Sequence, residues 1–307
     1  MTALKNFKIL VLDKAPDQSI AVLLFQNPHW EVILSELGEA LIQKIQGGHF
    51  NLVIQADQSP TNQFVQACIA SKTHYINLNS KATASHISSI MQFNAQAQSQ
   101  GVVLISGAGI FPGLSSVLVD AFLPRFTCLQ EIAFGFSFST MVLKKYLTDL
   151  GQPFRRLEQG RWKKVYGYKN LHRHYYGDNI GFRWQCNVNK PDLTLFPARY
   201  PDLKTSTVHE GCRPGFLFSK KTPAGLVMRL YGTDQRYQPL EIKWQLVAEK
   251  GHDAYIHVLP ALILAKKIAA AEIAPGSYPG LGLFTLSEFD AAIAPYAIYY
   301  TSEETEY

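Results

Sequence analysis

One stretch of the chain, Phe64–Leu118, alternates helical and strand-like patterns in an order that restricts the fold more than any other part of the sequence. A helical pattern leads into a short strand, Thr73–Leu78, and a second helical pattern continues to about Ser99. The apolar strand Val102–Ser106 follows and ends in a glycine-rich turn, Gly107–Gly113. Strands that alternate with helices need crossover connections, so this stretch predicts half of a doubly wound parallel sheet.

The residues before this stretch show the same alternation. Phe7–Leu12 is a short continuous apolar run, which is typical of a parallel strand that is buried on both faces. Two more strands are predicted at Trp30–Leu34 and Asn51–Gln55, with helices at about Ser19–Phe25 and Leu37–Gln46. We therefore predict an α/β protein whose residues 1–126 form a Rossmann-type domain.

The pattern changes in the middle of the chain. Glu131–Phe138, Gly225–Gly232 and Glu241–Ala248 alternate between apolar and polar residues, as antiparallel strands with one wetter face do. Residues 127–250 are therefore predicted to form an inserted α+β domain.

The last part of the chain becomes helical again. A helical pattern covers Ala254–Ala271, and a short helix near Phe289 has Ser287 as its predicted cap. Residues 251–307 are predicted to be a C-terminal segment that returns to the first domain.

Composition places the chain among ordered proteins. Of its 307 residues, 47% are hydrophobic and 17% are charged, so it can bury a substantial core. The sequence contains no long uncharged apolar run and no signal-peptide pattern, so we expect a cytoplasmic protein without a membrane partner. Its four cysteines are scattered, which predicts reduced thiols and no metal site.

The loop after the first strand lacks the usual signature of a dinucleotide site. Such sites place glycines between the first strand and its helix, where the backbone approaches the pyrophosphate. Asp13–Ser19 contains no glycine, and Pro16 has no N–H to donate. Asp13 and Asp17 would repel a pyrophosphate by roughly 4 kcal/mol for each charge pair at about 4 Å, which Lys14 offsets in part. The loop predicts weakened pyrophosphate binding.

Five segments of the sequence have a recognisable pattern when they are taken together. They are Ala67–Cys68 with His74–Leu78, Gly107–Gly113, Leu157–Trp162, Phe196–Pro201 and Tyr278–Phe289. In this order they resemble the saccharopine dehydrogenase-like family of NAD(P)-dependent oxidoreductases. The resemblance covers most of the chain, and Asn77 stands where that family usually has an aspartate.

The resemblance implies a homodimeric enzyme with a Rossmann domain, an inserted domain for substrate and dimer contacts, and NADP or NAD as cofactor. It implies hydride transfer on a small amino-acid-like or imine substrate. The glycine-free loop and Asn77 depart from the family pattern. The alternative is therefore a divergent member that has lost dinucleotide binding and acts as a ligand-binding or scaffolding protein.

Six residues are candidates for contact with the cofactor. Lys14 lies in the first loop, Glu36 follows the second strand where an acid can bind a ribose hydroxyl, and Ser59 follows the third strand on the expected nicotinamide side. The others are the turn glycines Gly107, Gly109 and Gly113. Each of these candidates has a plain alternative. The turn can be a strand-to-helix connection, Glu36 a solvated loop residue, and Ser59 a cap or turn residue.

A basic and aromatic segment supplies the candidates for substrate binding. Arg155, Arg156 and Arg183 carry guanidinium groups that suit the carboxylates of an amino-acid-like substrate. The same mixture is compatible with a solvated sheet face or with single-stranded nucleic acid. The segment matches no recognised nucleic-acid module, so we expect no nucleic-acid partner.

Histidines supply the candidate for proton transfer. His172 and His174 are two residues apart and share a face on a strand, yet no further metal ligand has a convincing spacing. His209-Glu210 and His252-Asp253 each place a base next to an acid. His252 lies near the predicted domain junction, so it is the candidate general acid/base, with a surface histidine as the alternative.

Overall fold

The computed structural model describes residues 7–12, 24, 27–35, 41–56, 61–78, 84–137, 152–167, 171–176, 180–212 and 223–307, without the side chains of residues 86 and 212. The chain divides into two compact units. The first unit comprises Met1–Val117 and Tyr255–Ala292, and the second comprises Leu118–Ala254 and Ile293–Tyr307. Among the described residues, no helix is both long and apolar enough to cross a membrane.

The strands of the described residues are numbered in chain order. They are β1 Phe7–Leu12, β2 Trp30–Ser35, β3 Leu52–Gln55, β4 His74–Asn77, β5 Val103–Ser106, β6 Cys128–Ser137, β7 Pro153–Glu158, β8 Arg161–Tyr166, β9 His172–Tyr175, β10 Phe182–Asn187, β11 Thr205–Cys212, β12 Ala224–Thr233, β13 Pro239–Ala248, β14 Gly276–Pro279 and β15 Ile298–Glu306.

The helices are numbered in the same way. They are α1 Leu41–Gly48, α2 Asn62–Ala70, α3 Ala84–Ser89, α4 Asn94–Gln100, α5 Ser115–Phe122, α6 Asp192–Arg199, α7 Asp253–Ala269 and α8 Leu286–Ile293. Shorter helical turns occur at Ile90–Phe93, Ile110–Leu114 and Leu123–Arg125.

The first unit contains a six-stranded sheet in the order β2-β1-β3-β4-β5-β14. All neighbouring strands in it are parallel. The predicted Rossmann-type sheet is therefore confirmed. Every residue of β3 and β5 is buried, which explains why these strands are continuous apolar runs in the sequence. The chain reverses its direction of travel across the sheet between β1 and β3, and ligands of open α/β sheets bind at such a switch point.

Helix α1 continues past its predicted end at Gln46, and its predicted start at Leu37 lies outside the described residues. The helix includes both Gly47 and Gly48, and the left-handed residue that follows it is His49, with φ of 49°. The helix predicted at Ser19–Phe25 falls almost wholly outside the described residues.

The second unit contains a seven-stranded mixed sheet in the order β15-β13-β12-β6-β11-β10-β9, and β7 pairs with β8 in a separate hairpin. Strands β6 and β11 are parallel, and the other neighbours are antiparallel. Phe134, Met228 and Trp244 lie in one register row and are at most 1% exposed. Phe196 of α6 packs on this row, with its ring centroid 6.2 Å from that of Phe134. The alternating runs therefore form a sheet with one apolar face, as predicted.

The C-terminal segment 251–307 divides between the two units. Strand β14 and helix α8 belong to the first unit, whereas β15 adds an edge strand beside β13 in the second. Opposite charges favour the pairing of β15, because Glu303 lies opposite Lys243 and Glu304 forms a 2.6 Å ion pair with Arg125. The acidic end of the chain is thus a strand, which its charge alone did not predict.

Helix α8 begins at a different cap from the predicted Ser287. The backbone N–H of Glu288 donates to Thr285 Oγ1 at 3.2 Å, and the N–H of Thr285 donates to Glu288 Oε2 at 2.6 Å. This reciprocal pair is a capping box, and it requires the Thr-x-x-Glu spacing that Ser287 lacks.

Replacing Thr285 with alanine removes one half of the capping box. We expect Thr285→Ala to lower the free energy of unfolding by about 1 kcal/mol, which corresponds to a melting-temperature decrease of about 2–4 °C. Thermal unfolding followed by circular dichroism measures this change. Ser287→Ala, on the same exposed turn, is the matched control, and an equal decrease in both variants would rule out Thr285 as the cap.

Candidate functional site

A row of buried polar residues closes the carboxyl edge of the parallel sheet. Gln55, Asn77 and Ser106 end β3, β4 and β5, lie side by side in register and are at most 3% exposed. Burial raises the pKa of Tyr75, so its hydroxyl stays protonated and donates to Gln55 Oε1 at 2.5 Å. Asn77 Nδ2 donates weakly to the Gln55 carbonyl at 3.5 Å. This polar row lies near the switch point, where a ligand is expected.

The glycine turn folds tightly onto the same edge. The N–H groups of Gly107 and Ala108 donate to the Asn77 carbonyl at 2.9 and 2.8 Å. Gly107 has a φ of +85°, and a Cβ there would lie 2.7 Å from Pro112 Cδ. A Cβ would lie 3.0 Å from the Leu78 carbonyl oxygen at Gly109, and 3.1 Å from the Gly107 oxygen at Gly113. Close packing of the chain on itself therefore accounts for all three glycines.

The segment after β14 packs against this turn and forms hydrogen bonds with the residues on either side of it. The N–H of Gly280 donates to the Ser106 carbonyl at 2.7 Å, and a Cβ at Gly280 would lie 2.4 Å from the Gly107 oxygen. Ser116 Oγ donates to the Gly113 carbonyl at 2.8 Å and accepts from the N–H of Gly282 at 3.0 Å. The turn is thus a rigid floor beneath the carboxyl edge.

The other predicted cofactor residues, Lys14, Glu36 and Ser59, lie outside the described residues. By sequence they follow the carboxyl ends of β1, β2 and β3, which are the strands that flank the switch point. The described residues fit a dinucleotide in part. They provide the polar row and the rigid turn, but the turn N–H groups already donate to Asn77. Pyrophosphate contacts would have to come from the loops after β1 and β3.

Arg156 lies in a buried polar cluster of the second unit. Its Nη1 donates to Asn187 Oδ1 at 2.6 Å, and its Nη2 donates to Glu158 Oε2 at 3.1 Å. Asn187 is paired in register with His209 on the neighbouring strand, and the ring centroids of His209 and His172 are 4.9 Å apart. Burial, together with the charges of His172 and Arg156, lowers the pKa of His209 to about 3. His209 is therefore a neutral member of the cluster at neutral pH.

The other two predicted arginines have different surroundings. Arg155 is exposed and lies on the opposite face of β7 from Arg156, because neighbouring residues of a strand point to opposite faces. Arg183 is 3% exposed, donating from Nε to Ser137 Oγ at 3.1 Å and from Nη1 to the carbonyls of Ile180 and Phe182. Of the three predicted arginines, Arg156 is the one whose guanidinium bonds to both an amide and a carboxylate side chain.

His252 lies in the turn between β13 and α7. Its backbone N–H donates to the Glu249 carbonyl at 2.9 Å, and its ring centroid is 6.3 Å from that of Tyr296. His172 and His174 both belong to β9, and no group of potential metal ligands forms among the residues that the structure describes. The roles predicted for these histidines remain predictions.

Sequence reasoning missed Asn187 and did not connect His209 with Arg156. These residues are brought together by the register of β10 with β11 and by the position of the β7–β8 hairpin, neither of which has a local signal. His209 and Glu210 are neighbours in sequence but point to opposite faces of β11, and Glu210 instead forms a 2.5 Å ion pair with Lys190.

Comparison with known proteins supports the fold. No protein-family model and no curated protein matches the sequence. The apo saccharopine dehydrogenase (L-Glu forming) of Saccharomyces cerevisiae matches with a TM-score of 0.75 and 10% identity, over 97% of this chain and 99% of that chain. The chain therefore shares its fold with that protein. A meso-dapdh mutant of Clostridium tetani E88 with DAP matches with a TM-score of 0.51 and 12% identity, over 92% and 95% of the two chains.

A test of the rigid turn compares two glycines of the first unit. Gly280→Ala would press a Cβ against the backbone of Gly107, so we expect a loss of about 2 kcal/mol in the free energy of unfolding. Gly47→Ala, within α1, has no atom within 4 Å of the added Cβ. It should raise stability by about 0.5–1 kcal/mol. Urea unfolding measures both, and equal stability of the two variants would contradict the tight contact at Gly280.

Proposed function

We propose that the protein is an NAD(P)-dependent oxidoreductase that transfers a hydride between a nicotinamide cofactor and an amino-acid-like or imine substrate. The observation that carries this proposal is the likeness of the fold to yeast saccharopine dehydrogenase over 97% of the chain, with a TM-score of 0.75. It is supported by the polar row Gln55, Asn77 and Ser106, which lies at the edge of the sheet where α/β proteins bind ligands.

The proposed cofactor contacts surround the carboxyl edge of the parallel sheet. Lys14 would offset the negative charge of the phosphates, and Glu36 would accept a hydrogen bond from a ribose hydroxyl. Ser59 would lie on the nicotinamide side of the cofactor. Gly107, Gly109 and Gly113 would form the floor beneath the ring. A bound nicotinamide supplies or accepts the hydride, and the residues of the chain orient it and exclude water. The proposed cofactor is NADP or NAD.

The proposed substrate contacts belong to the second unit. Arg155, Arg156 and Arg183 would hold carboxylate groups of the substrate, and Arg156 is supported best because it lies in a buried polar cluster. His252 would transfer the proton that accompanies the hydride. We also propose that the protein is cytoplasmic and that it forms the homodimer that the resemblance implies, and light scattering of the purified protein tests the dimer.

Cofactor binding is the first test. We expect NADPH or NADH to bind saturably, which nicotinamide fluorescence and a thermal shift would both report. Lys14→Gln should weaken binding, because Lys14 follows the carboxyl end of β1. Lys72→Gln is the matched control, since it removes the same charge from the turn before β4, at the opposite edge of the sheet.

The proposal fails if neither dinucleotide binds at concentrations up to about 1 mM, where even weak binding would shift the melting temperature. That outcome would favour a Rossmann-type protein that has lost its cofactor. Equal weakening in the Lys14 and Lys72 variants would instead remove Lys14 from the proposed site, while the proposal that the wild-type protein binds a dinucleotide would stand.

Proton transfer by His252 is tested once a screen of amino and imino acids gives a substrate. We expect His252→Gln to lower kcat by about 100-fold or more and to leave KM nearly unchanged, because a general acid or base acts in the chemical step. His29→Gln, at an exposed position of the first unit, is the control. An unchanged kcat in His252→Gln would exclude the assigned role.

A further inference from the structure

Three buried side chains at the carboxyl edge of the parallel sheet form a chain of hydrogen bonds. Gln55 ends β3 opposite Asn77 of β4, and Tyr75 lies two residues before Asn77, so all three point to the same face of the sheet. Tyr75 and Asn77 are fully buried, and Gln55 is 3% exposed. Because groups this deeply buried have few partners to choose from, the three side chains themselves set the direction of each hydrogen bond.

A backbone carbonyl fixes the orientation of Asn77. The Gln55 carbonyl oxygen can only accept, so the Asn77 atom that faces it at 3.5 Å is Nδ2. Asn77 also bonds to the Tyr75 hydroxyl. Burial and Cys68 raise the pKa of Tyr75, and the hydrogen bond with the Asn77 side chain opposes that rise. A bond donated to the phenol oxygen has this effect, because it stabilises the phenolate.

The Tyr75 hydroxyl continues the chain in the same direction. It accepts from Asn77 and donates its own proton to Gln55 Oε1, with 2.5 Å between the two oxygens. The Gln55 amide is therefore held by its oxygen, and its Nε2 points away from Tyr75. Among the described residues, Nε2 has no hydrogen-bond partner, yet it is not one of the fully buried polar atoms that lack one. It therefore reaches the surface of the edge.

This free donor lies beside the switch point. Strand β3 is the neighbour of β1, where the chain reverses its direction across the sheet, and ligands of open α/β sheets bind outside the carboxyl ends of such strands. The N–H groups of Gly107 and Ala108 are already used, since both donate to the Asn77 carbonyl. The Gln55 amide is thus a donor that this edge still offers to a ligand.

We propose that Gln55 Nε2 donates a hydrogen bond to an acceptor oxygen of the bound dinucleotide, and that Tyr75 and Asn77 are positioning residues that hold its amide in this direction. This contact rests on the proposed function and deepens it, because it assigns a residue to the cofactor and a direction to the bond. A carboxylate at position 77 has no N–H and would accept from Tyr75, so Gln55 Nε2 would turn inward to donate to the hydroxyl. The amide of Asn77 is what makes Gln55 a donor at the edge.

The direction of the hydrogen bonds is measured first, on the full chain without cofactor. Tyr75→Phe removes the hydroxyl, and the side-chain amide signals are followed in a ¹H–¹⁵N spectrum. We expect the amide protons of Asn77 to move upfield, because one of them loses its acceptor, and those of Gln55 to move much less. A larger movement at Gln55 than at Asn77 would overturn the proposal, since it would mean that Gln55 Nε2 donates to Tyr75.

The contact with the cofactor is measured on the wild-type protein, so it does not depend on how well a variant folds. NADH and NADPH are titrated, and the side-chain amide protons of Gln55 should move downfield as nicotinamide fluorescence saturates. The side-chain amide of Gln100, which is exposed and precedes the amino end of β5, should not move.

A substitution at Gln55 tests the donor through affinity. Gln55→Glu keeps an acceptor for Tyr75 but replaces the N–H donors with a carboxylate oxygen, so we expect dinucleotide binding to weaken by about tenfold or more. Gln100→Glu is the matched control, because it makes the same change of charge at the opposite edge of the sheet. Unchanged affinity in a folded Gln55→Glu variant would overturn the proposal.

The outcomes separate this contact from the proposed function. If a dinucleotide binds while the Gln55 amide does not respond, the contact is excluded and the oxidoreductase proposal stands. If neither dinucleotide binds the wild-type protein, both fail. A saturable response at Gln55, together with weaker binding in Gln55→Glu than in Gln100→Glu, supports both.

Discussion

Close backbone packing at the carboxyl edge of the parallel sheet is the constraint on which the first unit depends. The Asn77 carbonyl holds the start of the glycine turn, and Gly280 donates to the Ser106 carbonyl from the far side. These contacts leave no room for side chains at Gly107 or Gly280. The turn, β14 and the N-terminal end of α5 therefore form one rigid element, and the polar row of Gln55, Asn77 and Ser106 is fixed in place above it.

Each unit contains a small network of buried polar side chains. At the edge of the parallel sheet, the buried Gln55 accepts from Tyr75, and the glycine-turn amides share the Asn77 carbonyl. In the second unit, Arg156 and Asn187 bond to each other and still keep donors to spare. Buried polar atoms without a hydrogen-bond partner occur in both units, such as Ser277 Oγ in the first and Arg156 Nε in the second.

Sequence patterns predicted the fold well and the site less well. Buried parallel strands such as β3 are continuous apolar runs, whereas strands such as β13 alternate between apolar and polar residues. Both hydrophobicity patterns can be identified from residues that are neighbours in the sequence. Thr285 and Ser287 are both residue types that can cap α8. Thr285 is the cap because it lies three residues before Glu288, which is the spacing that a capping box requires. Arg155 and Arg156 looked equivalent in sequence, yet the strand turns one outward and one inward. The Arg156–Asn187–His209 cluster depends on strand register over long sequence distances, which no local pattern contains.

The division of the C-terminal segment has a consequence for synthesis on the ribosome. Strand β14 completes the parallel sheet of the first unit, and β15 completes the mixed sheet of the second. Strands β5 and β13 therefore lie at the edges of their sheets until the chain from Gly276 onward has emerged, after which β14 and β15 occupy those edge positions. Exposed strand edges recruit other chains. Neither sheet therefore has its full set of strands until this part of the chain has been made.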